Sequence, residues 1–132
     1  MGVSSNLTSA YVNTIDDMEF FQGDTVTIPF KFLDSDGDVI DLTGGDIMKW
    51  YLCPFGQFQA PVLELSSENP DDIWVDPVTS IAYVKLDDEK TGSLTYGKYV
   101  QQPVLFHNVG NSMKRYLRAQ GNILFKYKIR EL

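Results

Sequence analysis

The sequence predicts an all-β fold, a single antiparallel, immunoglobulin-like β-sandwich. Short segments alternate apolar and polar residues with the period of two that a half-buried strand requires, and almost none follows a helical period. Turn residues separate these segments at intervals of about 8 to 12 residues, which is typical of two-sheet sandwiches. The chain has 132 residues, of which 43% are hydrophobic, enough for one core but not for two. We therefore expect a polar N-terminal arm over residues 1–15 and one sandwich domain over residues 16–132.

The first clear strand is predicted at residues 25–32. Apolar residues occupy every second position and share one face: Val26, Ile28, Phe30 and Phe32. Residues 34–38 then form a turn into a short strand at residues 39–42. A second turn follows at residues 43–46.

The middle of the chain predicts a central core strand followed by shorter strands. Residues 47–53 place three large apolar side chains on one face: Met48, Trp50 and Leu52. Shorter strands are expected at residues 62–65, 73–75 and 81–86. Asp87 is expected to cap a short helical turn over residues 87–94, because its carboxylate can accept hydrogen bonds from the unpaired amides of a helix start.

The C-terminal part predicts a hairpin and a final amphipathic strand. Residues 97–106 and 113–120 flank a loop rich in Asn and Gly, which favours a tight reversal. The final strand alternates clearly. Its apolar face contains Ile123, Phe125, Tyr127 and Ile129, and its outward face contains Lys126, Lys128 and Arg130.

Acidic and basic residues are segregated along the sequence. Residues 1–97 carry 17 acidic and four basic side chains, or −13, and residues 98–132 carry seven basic and one acidic, or +6. If folding preserves this separation, a basic surface can meet the acidic surface of another copy, because complementary potentials orient association. The alternative is a set of solvated strand faces. The candidate interface residues are Arg115, Arg118, Lys126, Lys128, Arg130 and Trp74.

Composition argues against several function classes. One cysteine, Cys53, and one histidine, His107, provide neither an internal disulfide nor a Cys/His zinc site. No stretch approaches the roughly 18 apolar residues of a membrane span, and residues 1–14 lack the pattern of a signal peptide. A pI near 4.5 argues against nucleic-acid binding, because acidic surface repels phosphate. We expect a soluble protein without a cofactor, a nucleic-acid partner or a membrane partner.

Two sets of side chains are candidates for chemistry. Asp34, Asp36 and Asp38 alternate as in a calcium loop, so they are candidate cation ligands. An Asx-type turn explains the same residues, and the closing glutamate of a helix-loop-helix calcium site is missing. His107 and Ser112 have the side chains of a base and a nucleophile, but no nucleophile elbow is present. We expect no enzyme activity.

Several turn and strand motifs follow one another along the chain. They are the pair Phe20-Phe21, Gly23-Asp24 before a strand, Ile40 to Gly44, Asp76-Pro77, Tyr96 to Tyr99, and a closing Gly121 to Phe125. In this order and spacing the set resembles the N-terminal domain of phage baseplate upper proteins and related small β-sandwich proteins of tails and prophages.

The resemblance implies a non-catalytic structural protein of a tailed-phage or prophage particle, assembled in the host cytoplasm and placed in the tail or baseplate. Its implied partners are copies of itself and other virion proteins. A capsid decoration or head-to-tail connector protein is one alternative. A carbohydrate-binding module for host attachment is another, in which exposed Trp74 and Tyr51 would stack on a sugar ring.

Overall fold

The computed structural model describes residues 5–9, 13–57, 59–109 and 112–126. These described residues form nine strands and one short helix. In chain order the elements are β1 (Ser5–Thr8), β2 (Asn13–Phe21), β3 (Val26–Leu33), β4 (Ile47–Pro54), β5 (Leu63–Ser66), β6 (Ile73–Val75), β7 (Ala82–Leu86), α1 (Asp88–Gly92), β8 (Gly97–Val109) and β9 (Ser112–Lys126). The predicted all-β class is confirmed.

The strands form two sheets that pack together as a sandwich. One sheet has the order β1-β3-β7-β6, and the other has the order β2-β9-β8-β4-β5. The expectation of purely antiparallel sheets is wrong at two pairings, because β1 runs parallel to β3 and β2 runs parallel to β9. Tight turns produce antiparallel neighbours, whereas β1 and β3 are separated by β2, which lies in the opposite sheet. The immunoglobulin-like detail stays a prediction.

The described parts of the expected N-terminal arm lie in the sandwich. β1 pairs with the second half of β3, and Leu7 is only 1% exposed. Ile15 of β2 also belongs to the core. For residues 5–9 and 13–15, the expectation of an arm outside the sandwich is therefore corrected. The segment looks polar because β1 and the start of β2 each contribute a single core residue, too few for a visible alternation.

The core lies between the two sheets and is built by strand alternation. The inward faces predicted for β3 and β4 are confirmed. Their buried residues are Ile28, Phe30, Phe32, Met48, Trp50 and Leu52. Fully burying one such side chain contributes about 1.5–3 kcal/mol, so these two strands supply a large share of the hydrophobic stabilisation.

Three of the predicted strands differ from the structure. Residues 39–42 form only an isolated bridge, between Leu33 and Val39. The two expected C-terminal strands are one continuous strand, β9, which pairs antiparallel with β8. β9 continues through Gly121 because this glycine lies directly against β2, and a Cβ there would be 2.7 Å from the Cβ of Ile15.

The predicted helix cap is confirmed. The Oδ1 atom of Asp87 accepts the backbone N–H of Lys90 at 2.8 Å, and α1 follows over a little more than one turn. The hydroxyl of buried Thr91 donates to the carbonyl oxygen of Asp24 at 2.6 Å. This bond ties the helix to the turn before β3.

One polar contact is buried among the apolar side chains of the five-stranded sheet. The indole Nε1 of Trp50 donates to the Oε1 atom of Gln101 at 2.9 Å, and the Nε2 of Gln101 lies 3.4 Å from the sulfur of Met18. Both Trp50 and Gln101 are fully buried. The amide therefore satisfies the one donor that a core tryptophan brings with it.

Replacing Gln101 by leucine is expected to lower the free energy of unfolding by about 1–3 kcal/mol, because the Trp50 N–H is left buried without an acceptor. The double variant Trp50→Phe/Gln101→Leu removes both partners, so its loss should be smaller than the sum of the two single losses. Urea unfolding of all four proteins measures this coupling. Strictly additive losses would show that the bond contributes no specific stabilisation.

Replacing Gly121 by alanine is expected to destabilise the chain by about 1–3 kcal/mol, because the new methyl group overlaps Ile15 and forces β2 away from β9. Gly44→Ala is the matched control, since nothing lies within 4 Å of a Cβ at that position. Thermal unfolding of both variants provides the comparison. Equal stability of the two variants would contradict the close contact.

Candidate interaction surface

A row of polar side chains crosses four strands on the outward face of the five-stranded sheet. Thr14 of β2 lies opposite Gln120 of β9, and Gln102 of β8 lies opposite Tyr51 of β4. The Nε2 of Gln102 is 3.5 Å from the Oε1 of Gln120, so the two halves of the row meet at the centre of the sheet. Alternate residues of each strand fill the core, which fixes these side chains on the outside.

A groove of about 690 Å³ lies over this row, and we call it the amide groove. Val104 and Phe106 of β8 add apolar surface to its lining, and Gln59 lines it from the loop between β4 and β5.

An adjoining cavity of about 220 Å³ shares Gln59 with the groove and reaches Cys53. Burial raises the pKa of the Cys53 thiol, so this group is uncharged at neutral pH.

Two of the predicted interface residues line the amide groove. Arg115 and Arg118 are exposed on β9. Neither has an ion-pair partner among the residues that the structure describes. No Asp or Glu belongs to the described lining of the groove. The groove is therefore locally positive in a chain whose net charge is −7.

Lys126 lies at the opposite end of β9 and is neutralised there. Its Nζ atom is 2.9 Å from the Oε2 of Glu19 on β2 and 5.9 Å from the ring centroid of Phe21. The strand order places acidic β2 beside basic β9, so the fold partly cancels the charge separation that the sequence shows. Lys128 and Arg130, the remaining predicted basic residues, lie outside the described residues.

An exposed apolar patch surrounds this end of the sheet. Phe55 is 53% exposed, and the Nζ of Lys98 lies 4.1 Å above the centre of its ring. Leu124, which pairs with Lys98 across β8 and β9, is also exposed, as is Phe21. Exposed aromatic and apolar side chains of this kind are typical anchors of protein interfaces.

Trp74 lies on the other sheet, in the edge strand β6. It is 42% exposed, and its ring stacks on Tyr83 with the centroids 5.8 Å apart. Pro29 of β3 is opposite Tyr83, so three rings form one row across the four-stranded sheet. Tyr51 belongs to the five-stranded sheet. The structure therefore does not bring Trp74 and Tyr51 together, and Tyr83 takes the place expected for Tyr51.

The predicted cation ligands form a tight turn. The Oδ1 of Asp34 accepts the backbone N–H groups of Asp36 and Asp38, both at 2.9 Å, and Gly37 adopts a positive φ of 86°. This is the Asx-type alternative that the sequence also predicts. Within the described ranges, no three His, Cys, Asp or Glu side chains are placed to hold a metal ion.

The predicted base, His107, contacts a carboxylate. Its Nδ1 lies 2.9 Å from the Oδ1 of Asp46, and its ring centroid is 5.2 Å from that of Tyr116. Ser112 starts β9, but its side chain is outside what the structure describes. The geometry of a His107–Ser112 pair stays untested.

No protein-family model matches the chain, and no curated protein matches it. Among solved structures, the chain is similar to the N-terminal domain of phage TP901-1 ORF48, with 11% sequence identity and a TM-score of 0.58. The match covers 96% of this chain and 98% of that chain. The two chains share a fold. The predicted resemblance to a phage β-sandwich module is thus confirmed at the level of the fold.

Sequence reasoning missed the glutamines of the amide groove. The alternation of residues 97–106 places Gln102 on the outward face, and the β8–β9 hairpin register then brings Gln120 beside it. Gln59 gives no such signal, because it lies in a loop without periodicity.

Among the described residues, no helix is long and apolar enough to cross a membrane.

Asp41, after the Asx turn, is a hydrogen-bonded surface carboxylate. Its Oδ1 accepts the hydroxyl of Thr43 at 2.6 Å and the backbone N–H of Thr43 at 2.9 Å. These two bonds hold the pKa of Asp41 below its usual value, the hydroxyl bond contributing most. The stabilisation is present above the ordinary pKa of aspartate and is lost as the pH falls through the lowered value.

Replacing Thr43 by valine is expected to raise the pKa of Asp41, because the strongest donor to the carboxylate is removed. Thr43→Ser keeps the hydroxyl and should leave the pKa close to that of the original chain. Titration of the Asp41 carboxyl carbon by NMR measures both variants. An unchanged pKa in the valine variant would show that the hydroxyl bond has no influence.

Proposed function

We propose that the chain is a non-catalytic structural protein of a tailed-phage or prophage particle and lies in its tail or baseplate. One observation carries the proposal, the fold similarity to the phage TP901-1 ORF48 domain over nearly the full length of both chains. The order of sequence motifs, which resembles that of baseplate upper proteins, also supports this assignment.

The surface of the chain supports a role in assembly. Exposed Phe21 lies on the five-stranded sheet and exposed Phe55 directly after its strand β4, and exposed Trp74 lies on the opposite sheet. Aromatic side chains of this kind carry much of the binding energy in protein interfaces, while charged residues mainly orient the partners. We propose copies of the same chain and other virion proteins as these partners.

The proposal is tested by measuring whether purified phage particles contain the chain, where in the particle it lies and which proteins it contacts. Mass spectrometry of particles from the phage that encodes this chain should detect it in a fixed ratio to the major capsid protein. Labelling with an antibody against the chain should mark the tail end in electron micrographs. Cross-linking through lysines on different strands, such as Lys85 and Lys98, should join copies to each other or to neighbouring proteins.

Two results would contradict the proposal. Label confined to the head would favour the capsid decoration or connector alternative and overturn the tail assignment. Absence of the chain from purified particles, with the chain abundant in the lysate from which they were prepared, would overturn the structural role itself. A protein of that lysate known to stay out of particles is the control for contamination.

A further inference from the structure

The charge balance of the amide groove is opposite to that of the molecule. The chain has 18 acidic and 11 basic residues, yet the groove contains two arginines and no described carboxylate. Two lysines outside the groove lie beside carboxylates: Lys90 is 3.3 Å from Asp72, and Lys126 is 2.9 Å from Glu19. Arg115 and Arg118 are therefore positioned to bind an anionic group from another molecule.

The hydrogen-bonding groups of the groove suit a ligand rich in hydroxyls. Gln59, Gln102 and Gln120 each present a donor and an acceptor, and the hydroxyls of Thr14 and Tyr51 do the same. A sugar hydroxyl also donates and accepts, so neighbouring hydroxyls can pair with the two ends of an amide. The apolar surface of Val104 and Phe106 and the ring of Tyr51 suit the C–H faces of a sugar ring.

The size and position of the groove argue for a small chain of sugars. A volume of about 690 Å³ lies within the range of about 300–1,000 Å³ usual for small-ligand clefts. The groove crosses the face of the sheet, where the backbone groups of β8 and β9 are already paired, so a peptide cannot add there as a strand. A long polyanion such as nucleic acid would be repelled by the acidic remainder of the surface.

We propose that the amide groove binds an anionic oligosaccharide. Arg115 and Arg118 contact its carboxylates, and the amide row of Gln102 and Gln120 contacts its hydroxyls. This site is separate from the proposed virion role and would exist whether the chain lies in a tail, a baseplate or a capsid.

Isothermal titration calorimetry of the full chain with tetragalacturonate measures the affinity and tests the proposal. Binding is expected at low salt and should weaken as salt rises, because exposed charges are screened over about 10 Å at 0.1 M ionic strength. A neutral tetrasaccharide of galactose should bind at least about tenfold more weakly, since it forms no charge-assisted hydrogen bonds with the arginines. A tetraglutamate peptide, which has the charges but not the hydroxyls, should also bind more weakly.

Three variants locate the site. Arg118→Ala is expected to weaken tetragalacturonate binding about tenfold, and Gln102→Ala should weaken binding of both the acidic and the neutral sugar. Lys126→Ala is the matched control: it removes the same charge from the same strand, but outside the groove, and should leave the affinity unchanged. Chemical shift changes in the unaltered chain should centre on Gln102 and Gln120, a readout that does not depend on how the variants fold.

Several results would overturn the proposal. Failure of tetragalacturonate to bind would exclude this class of ligand. Equal affinity for the tetraglutamate peptide would indicate a site for acidic protein segments, and equal affinity for the neutral sugar would remove the role of the arginines. None of these results bears on whether the chain is found in phage particles, so the two proposals fail independently.

Discussion

The close contact between Gly121 and Ile15 is the constraint on which the five-stranded sheet depends. β2 and β9 are distant in the sequence and are not joined by a hairpin, so no turn fixes their register and contacts between the two strands must do so. A residue without a Cβ lets the two strands approach at this point. The contact sets Thr14 beside Gln120 on one side, and this pairing forms one end of the amide groove. On the other side the register shifts by one residue between Ile15 and Met18, and this shift brings Glu19 beside Leu124, next to Lys126.

This register also distributes the charge along β9. Near its C-terminal end, Glu19 is brought within reach of Lys126. An exposed pair of this kind contributes about 0–1 kcal/mol, so its main effect is to cancel a local charge rather than to stabilise the fold. Near its N-terminal end, no described carboxylate forms an ion pair with Arg115 or Arg118. The charge of β9 is therefore neutralised at the Lys126 end and stays positive at the end with Arg115 and Arg118. The sequence of β9 alone shows only a series of basic residues.

Features set by neighbouring residues could be predicted from the sequence, whereas contacts between residues far apart in the chain could not. Alternation is a property of neighbouring residues, so the inward faces of β3 and β4 and the Asp87 cap could be predicted correctly. Parallel pairing of β1 with β3 could not, because β1 offers one core residue, Leu7, and its partner lies beyond another strand. The same limit applies to the candidate site. The arginines are visible as charges in the sequence, whereas the partner of Lys126 and the amide row appear only once the strands are placed side by side.

The two outward faces of the sandwich differ in chemistry, and this difference bears on how one small domain could serve two roles. On the four-stranded sheet, Trp74 and Tyr83 already stack on each other beside Pro29. Rings held in place before binding lose little conformational entropy on contact, which favours a stable protein interface. The five-stranded sheet instead presents a concave, polar and positive groove. Because the faces point away from each other, a partner anchored on Trp74 and Tyr83 would leave the groove open. A partner on exposed Phe21 would instead lie on the sheet that carries the groove. Attachment to a particle through the four-stranded sheet is therefore the arrangement that is sterically compatible with binding of an anionic sugar.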